Sequence, residues 1–153
     1  MRVCVSVADR SYKRPESVLV VIYTAEGEVL LLERQQPAGY WQSVTGSLER
    51  GEVAHAAAVR EVREETGLDV EQALLDCGYS NRFDIIPAWR ARYAPGVRTN
   101  TEHVFAVQYA TRPAVRINPA EHVRYQWLPR DQAVARTSSR TNREAIARCF
   151  AVR

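Results

Sequence analysis

Glu61, Glu64 and Glu65 stand within a single short segment of residues 46–68, GSLERGEVAHAAAVREVREETGL. On a helix turning ~100° per residue they fall inside an arc of about a quarter turn. Like charges spaced three or four residues apart destabilise a helix by a few tenths of a kcal/mol per pair, so the cluster needs compensation. A solvated acidic face is the ordinary explanation for such a run. The alternative is a hard divalent cation, which takes oxygen ligands. The flanking residues favour the cation. Arg60 lies one turn before Glu64 and can orient it, Glu52 is expected in the first helical turn, where a carboxylate suits the helix dipole, and Gly67 can end the helix in a left-handed conformation. Val59, Val62 and Thr66 lie on another side, toward a core, and Ala57 leaves room beside the acids. The chemistry such a site can do is cleavage of a phosphoanhydride, which needs charge neutralisation on phosphate oxygens and a water of lowered pKa.

Octahedral Mg²⁺ rarely draws all its ligands from one helix. A further carboxylate is therefore expected at a loop-to-strand edge, and Glu121 in NPAEHVRYQWL is the best placed, with Glu102 second. The base is either Glu61 or Glu121, with Glu121 favoured. A nucleophilic Ser or Cys finds no support, since there is no GxSxG motif and no Cys paired with a His. His55, His103 and His122 are isolated and read as surface or packing residues.

The elements that must position these groups follow from hydrophobic pattern. Ser17 to Tyr23, SVLVVIY, is an apolar β-branched run of strand length and should be central. A turn at Ala25-Glu26-Gly27 returns the chain through Val29 to Glu33 as a hairpin partner, ended by Arg34. Residues 35–40 carry Pro37 and Gly39 and read as a loop, and Trp41 to Thr45 as one short strand leading into the acidic segment. Leu74 to Phe83 is a strand with a bulge at Gly78. Residues 84–100, with two prolines and three arginines, are too long for a turn and form a candidate substrate loop. Glu102 to Ala110 and His122 to Leu128 are further strands. Asp131 is expected to cap a short helix to Arg136, and Thr141 with Glu144 to open a final helix reaching about Val152.

At 153 residues and 46% hydrophobic, the chain suits one α/β domain spanning 1–153, with 1–11 as a loose arm. No apolar run approaches ~18 residues, so neither a membrane span nor a signal peptide is expected, and the default location is cytoplasmic. Cys4, Cys77 and Cys149 are widely spaced and lack CxxC or a His pattern, which argues for reduced packing thiols and against zinc. A net charge of +3, spread along the chain, excludes a nucleic acid polymer as the expected partner but leaves room for a basic rim around polyphosphate. Of 21 basic residues only Lys13 is a lysine.

The acidic segment resembles the Nudix box. Gly46, Glu52, Arg60, Glu61, Val62, Glu64, Glu65, Gly67 and Leu68 fill every fixed place of that motif. The resemblance implies an α/β/α sandwich with a mixed, curved sheet between helices. It also implies hydrolysis of a nucleoside diphosphate linked to another moiety, with Mg²⁺ or Mn²⁺ held by Glu61, Glu64 and Glu65. Members commonly add an acid from outside the box, which strengthens Glu121. Beyond the box, YKRPESVLVVIY, LLLER, YWQSVTGS, RYAPGV followed by NTE, EHVRYQWL and SRTNRE are similar to the bacterial dihydroneopterin triphosphate diphosphatases. That similarity implies release of pyrophosphate from 7,8-dihydroneopterin triphosphate for folate synthesis; the sequence leaves monomer and homodimer both open. A dATP or other nucleoside triphosphate pyrophosphohydrolase and a nucleotide-binding sensor are the alternatives, and the intact glutamates speak against the sensor. For such a substrate, Asp84 beside Phe83 offers a carboxylate to the two adjacent donors of the pterin edge. Lys13 and Arg34 can reach the phosphates, Thr45 immediately precedes Gly46, and Ser139 can donate to the tail. A turn, an ion pair or a helix cap is the plainer role for each.

Overall fold

From Val18 onward every residue of strand β1 (Glu16–Thr24) is buried. Alternate side chains of a strand point to opposite faces, so Val18, Val20 and Ile22 enter one core and Leu19, Val21 and Tyr23 another. A strand covered on both faces needs no polar side, which is why its sequence reads as an unbroken apolar run. The computed structural model describes residues 12–149. The expected loose arm and the last residues of the final helix lie outside that range.

Six further strands complete a mixed sheet: β2 (Glu28–Arg34), β3 (Trp41–Gln42), β4 (Val44–Ser47), β5 (Leu75–Asp84), β6 (Thr99–Tyr109) and β7 (His122–Pro129). The order is β3-β2-β1-β6-β5, with β4 on β1 and β7 on β2. β1 runs parallel to β6 along its whole length. On its other side β1 meets β2 only at Tyr23–Val29 and pairs with β4 from Ser17 to Val20. The hairpin strands thus diverge, and β3 and β4 fill the gap where they part. The expected single strand 41–45 is split, because Ser43 turns to α3 (Arg140–Cys149), where Asn142 Oδ1 accepts its backbone N–H at 2.7 Å and Asn142 Nδ2 donates to its hydroxyl at 2.9 Å.

Helix α1 (Ala54–Thr66) packs Ala57, Ala58 and Val62 on one face of the sheet. Helices α2 (Arg130–Arg136) and α3 cover the other with Ala133, Ala145 and Ile146. The result is the expected α/β/α sandwich. No helix among the described residues is long and apolar enough to cross a membrane.

Several local expectations are corrected. Residues 84–100 contain a 3₁₀ helix, Pro87–Arg92, and β6 begins within them at Thr99. Asp131 sits in the first turn of α2, while Pro129 holds the cap position. At α3 the cap is Ser139, whose Oγ accepts the Asn142 N–H at 3.4 Å, and the Thr141 hydroxyl instead contacts that Oγ at 3.1 Å. Cys77 and Cys149, far apart in sequence, place their sulfurs 3.5 Å apart. The bulge at Gly78 is present as a register shift between Asp76 and Ser80.

Candidate active site

Arg60 organises the exposed flank of α1. Its Nε and Nη2 grip both oxygens of Glu52 at 2.8 Å, Nη1 donates to Glu61 at 2.8 Å and Glu64 at 3.3 Å, and Nη2 also donates to the Ser47 carbonyl at 3.1 Å. These partners hold the guanidinium firmly protonated. Glu52 therefore does not occupy the first helical turn, which begins at Ala54. It lies ahead of the helix and clasps Arg60 across the loop. Gly67 ends the helix at φ +76°, its N–H donating to the Arg63 carbonyl at 2.9 Å.

The three glutamates differ in surroundings. Glu64 is half exposed, pairs with Arg60 and stays outside the cavity beside the helix. Glu61 leans over Gly46 into that cavity, and burial pushes its carboxyl up against the opposing pull of Arg60. Glu65 is 1% exposed, so of the three only Glu64 lies on an exposed face. Burial and the nearby charges of Glu61 and Glu121 raise the Glu65 carboxyl well above its usual range.

Glu121 lines the same cavity, ahead of β7, where the register with β2 shifts so that Glu33 pairs with Arg124 and Arg34 with His122. Each of Glu65, Glu121 and His122 brings a ligand atom within 4.8 Å of the others. His122 Nε2 stands 3.4 Å from Glu65 Oε1, yet neither ring nitrogen of His122 and not the second oxygen of Glu65 has a hydrogen-bond partner, although all are buried. Such orphans cost free energy unless something completes them. Burial, and then the charge of Arg34, lower His122 to about 4 and leave the ring neutral near neutral pH. Buried carboxylate oxygens in need of a partner fit a hard divalent cation.

Facing the acids across the same cavity, of about 410 Å³, are Lys13, Arg34 and Arg92. Lys13 is lowered by burial and by the charges of Arg92 and Arg34. Three cations gathered in one wall repel one another, and a polyphosphate relieves that repulsion. Thr45 and Gly46 line both this cavity and a second, also about 410 Å³, as do Lys13, Arg34 and Arg92. The second cavity is more apolar and holds Phe83, Asp84, Trp89 and Ser139. Arg34 and Arg92 lie over the Trp89 ring, at 5.3 and 5.9 Å, and Tyr40 meets it edge-on at 6.0 Å. The structure thus gathers the expected Lys13, Arg34, Thr45, Glu61, Glu65 and Glu121 around one cavity, and Phe83, Asp84 and Ser139 around its neighbour. Asp84 is exposed at the end of β5.

Sequence reasoning missed four contributors. His122 was set aside as packing, though its place directly after Glu121 was a signal. Arg92 was visible only as one of several loop arginines. Asn100 and Glu102 line the second cavity; the sequence places Asn100 in the loop 84–100 and offers Glu102 only as a second choice for the metal.

Residues 13–149 match the NUDIX domain. The chain is 46% identical over 142 residues to the dihydroneopterin triphosphate diphosphatase of Escherichia coli K12, covering 90% of this chain and 93% of that one. It is 40% identical over 141 residues to the enzyme of the same name from Haemophilus influenzae, covering 88% and 87%. The solved structure of the E. coli dihydroneopterin triphosphate pyrophosphohydrolase matches with a TM-score of 0.84, over 90% of this chain and 95% of that one.

Proposed function

Since the chain belongs to the NUDIX family, whose hydrolases act on phosphoanhydrides, we propose that it hydrolyses 7,8-dihydroneopterin triphosphate to the monophosphate and pyrophosphate. Water adds across one P–O–P link, so one bridging bond breaks and one P–O bond forms. The observation that carries this reading is the juxtaposition of two cavities. One brings Glu61, Glu65 and Glu121 together with three cations, and the other, which shares lining residues with it, is lined by aromatic rings.

Glu61, Glu65 and Glu121 are the residues that would hold the divalent cation, Mg²⁺ or Mn²⁺, with neutral His122 beside them and Glu64 adding charge from the outer flank. Bound there, the cation supplies charge neutralisation to phosphate oxygens and acidity to a water. Arg60 fixes the direction of Glu61 through its 2.8 Å contact. Lys13, Arg34 and Arg92 hold the phosphate chain, with Thr45, which lines both cavities, beside it. Glu121, exposed at the edge of the cavity, is the base that can take a proton from the attacking water and give it up to solvent. Phe83, Asp84 and Ser139 contact the pterin and its side chain.

The test is pyrophosphate release from 7,8-dihydroneopterin triphosphate and from dATP in Mg²⁺, compared as kcat/KM. Pyrophosphate from the pterin at the higher kcat/KM supports the reading. Orthophosphate in its place, or no turnover of the pterin, overturns it.

A further inference from the structure

The second cavity differs between floor and mouth. The floor is polar and nearly dry: Asn100 is 3% exposed and Glu102 6%. They stand two positions apart on β6 and so share one face of the sheet. Register places Ser17 of β1 on one side of Glu102 and Asn81 of β5 on the other. Asn100 Nδ2 donates to Ser17 Oγ at 2.7 Å, which fixes the amide and leaves its buried Oδ1 without a partner at the cavity wall. Asn81 Nδ2 donates to Glu102 at 3.3 Å, and Thr141 gives it a second hydrogen bond. A carboxylate has about four acceptor sites, so two donors leave it unsaturated.

Two buried acceptors with spare capacity are costly in a core. Phosphate hydrolysis uses neither of them. We infer that Glu102, with Asn100 beside it, recognises the heterocycle of the substrate by accepting hydrogen bonds from a ring N–H and the adjacent exocyclic amine. The inference rests on the pterin reading above and deepens it. Burial pushes the Glu102 carboxyl up, and two donors from a ring would stabilise its charged form in return. Asp84, at the exposed mouth, offers the same chemistry, but an exposed carboxylate trades one set of water contacts for ring contacts at little net gain. Position in the floor, not residue type, separates the two.

The edge of adenine gives a sharp contrast. Its ring nitrogen is an acceptor beside the amine, so an ionised Glu102 gains one hydrogen bond there and suffers one repulsion. Glu102→Gln replaces one acceptor with a donor and suits adenine better than the pterin. The experiment measures kcat/KM for 7,8-dihydroneopterin triphosphate and dATP in wild type and Glu102→Gln. It is paired with inhibition by neopterin, which carries the ring and no phosphate, and with a thermal melt. The pterin-to-dATP ratio should fall about tenfold or more, dATP turnover should hold or rise, and the neopterin Ki should rise by a similar factor. Retained dATP turnover also shows that the variant folds, and Glu102→Asp, which keeps the charge, should recover part of the ratio. An unchanged ratio, an equal loss on both substrates, or a ratio that responds to Asp84→Ala and not to Glu102→Gln overturns the assignment. Those outcomes leave wild-type pyrophosphate release from the pterin intact, so they are distinct from a failure of the proposed function.

Discussion

The carboxylate of Glu61 occupies the space that a side chain on Gly46 would need: a Cβ there would lie 2.0 Å from Glu61 Cδ and 2.2 Å from its Oε1. Gly46 is not in the left-handed region, so the constraint is room and not backbone freedom. Only the far end of a flexible side chain has to yield. Gly46→Ala should therefore displace Glu61 while leaving the fold in place. Turnover is expected to drop roughly 10²-fold with a nearly unchanged melting temperature, the usual scale for a misplaced catalytic group. Wild-type kcat in this variant would show that Glu61 is not needed where it lies.

Glu65→Gln removes a charge from a position 1% exposed to solvent, where burial and two neighbouring acids already oppose ionisation. Without metal the variant should melt at or above the wild-type temperature. Pyrophosphate release at saturating Mg²⁺ should fall by about 10²-fold or more. Near-wild-type kcat would remove Glu65 from the metal site.

Divalent metal should raise the melting temperature. Binding to the gathered Glu61, Glu65 and Glu121 but not to the dispersed unfolded chain stabilises by mass action, by ~2.7 kcal/mol at 100 times Kd. Melts across millimolar Mg²⁺ and Mn²⁺ read this without any turnover. The shift should shrink in Glu121→Gln, and a flat melting temperature in the wild type would contradict a formed site.

Acid should weaken the link between β1 and β6. Glu16 accepts from His103 and from Arg14, both at 2.7 Å, and these contacts, the His103 hydrogen bond first, hold its carboxyl below the ordinary 4.5. A carboxyl depressed by folding stabilises fully above its unfolded value and loses that contribution as pH falls through the folded one. Urea unfolding of wild type and Glu16→Gln should differ at pH 7, by up to ~1 kcal/mol for so exposed a pair, and converge at pH 3. A difference that persists in acid would mean the variant acts through packing.

Much of this was legible in the sequence because the governing signals were local. An apolar run without polar interruption marked β1, and a positive-φ glycine marked the end of α1 at Gly67 and the bulge at Gly78. The acidic segment was legible as a NUDIX motif because its fixed residues lie close together in sequence. What was missed depends on the third dimension. Asn100 looked like loop because a strand is recognised by apolar residues on its buried face, and at the start of β6 the buried residues, Asn100 and Glu102, are polar. Helical phase placed Glu65 among the acids but could not say that it is buried, with His122 of β7 3.4 Å away. His122 looked like packing because the nearness of α1 and β7 is tertiary. The polar start of that strand was itself a pointer, since local rules tend to break where a site must be built.

Strand β1 pairs with β6 from Glu16–Thr101 to Thr24–Tyr109, residues a constant 85 positions apart. Closing so long a loop costs chain entropy before any pairing returns it, which makes such parallel contacts slow to form. A chain emerging from its amino terminus can complete the β1–β2 turn and α1 early. Ser17 then waits for Asn100, and Glu16 for His103, until β6 has been made. Synthesis thus delivers the helix of acids well before the floor that would recognise a ring, and a polypeptide halted ahead of Thr99 would carry the first without the second.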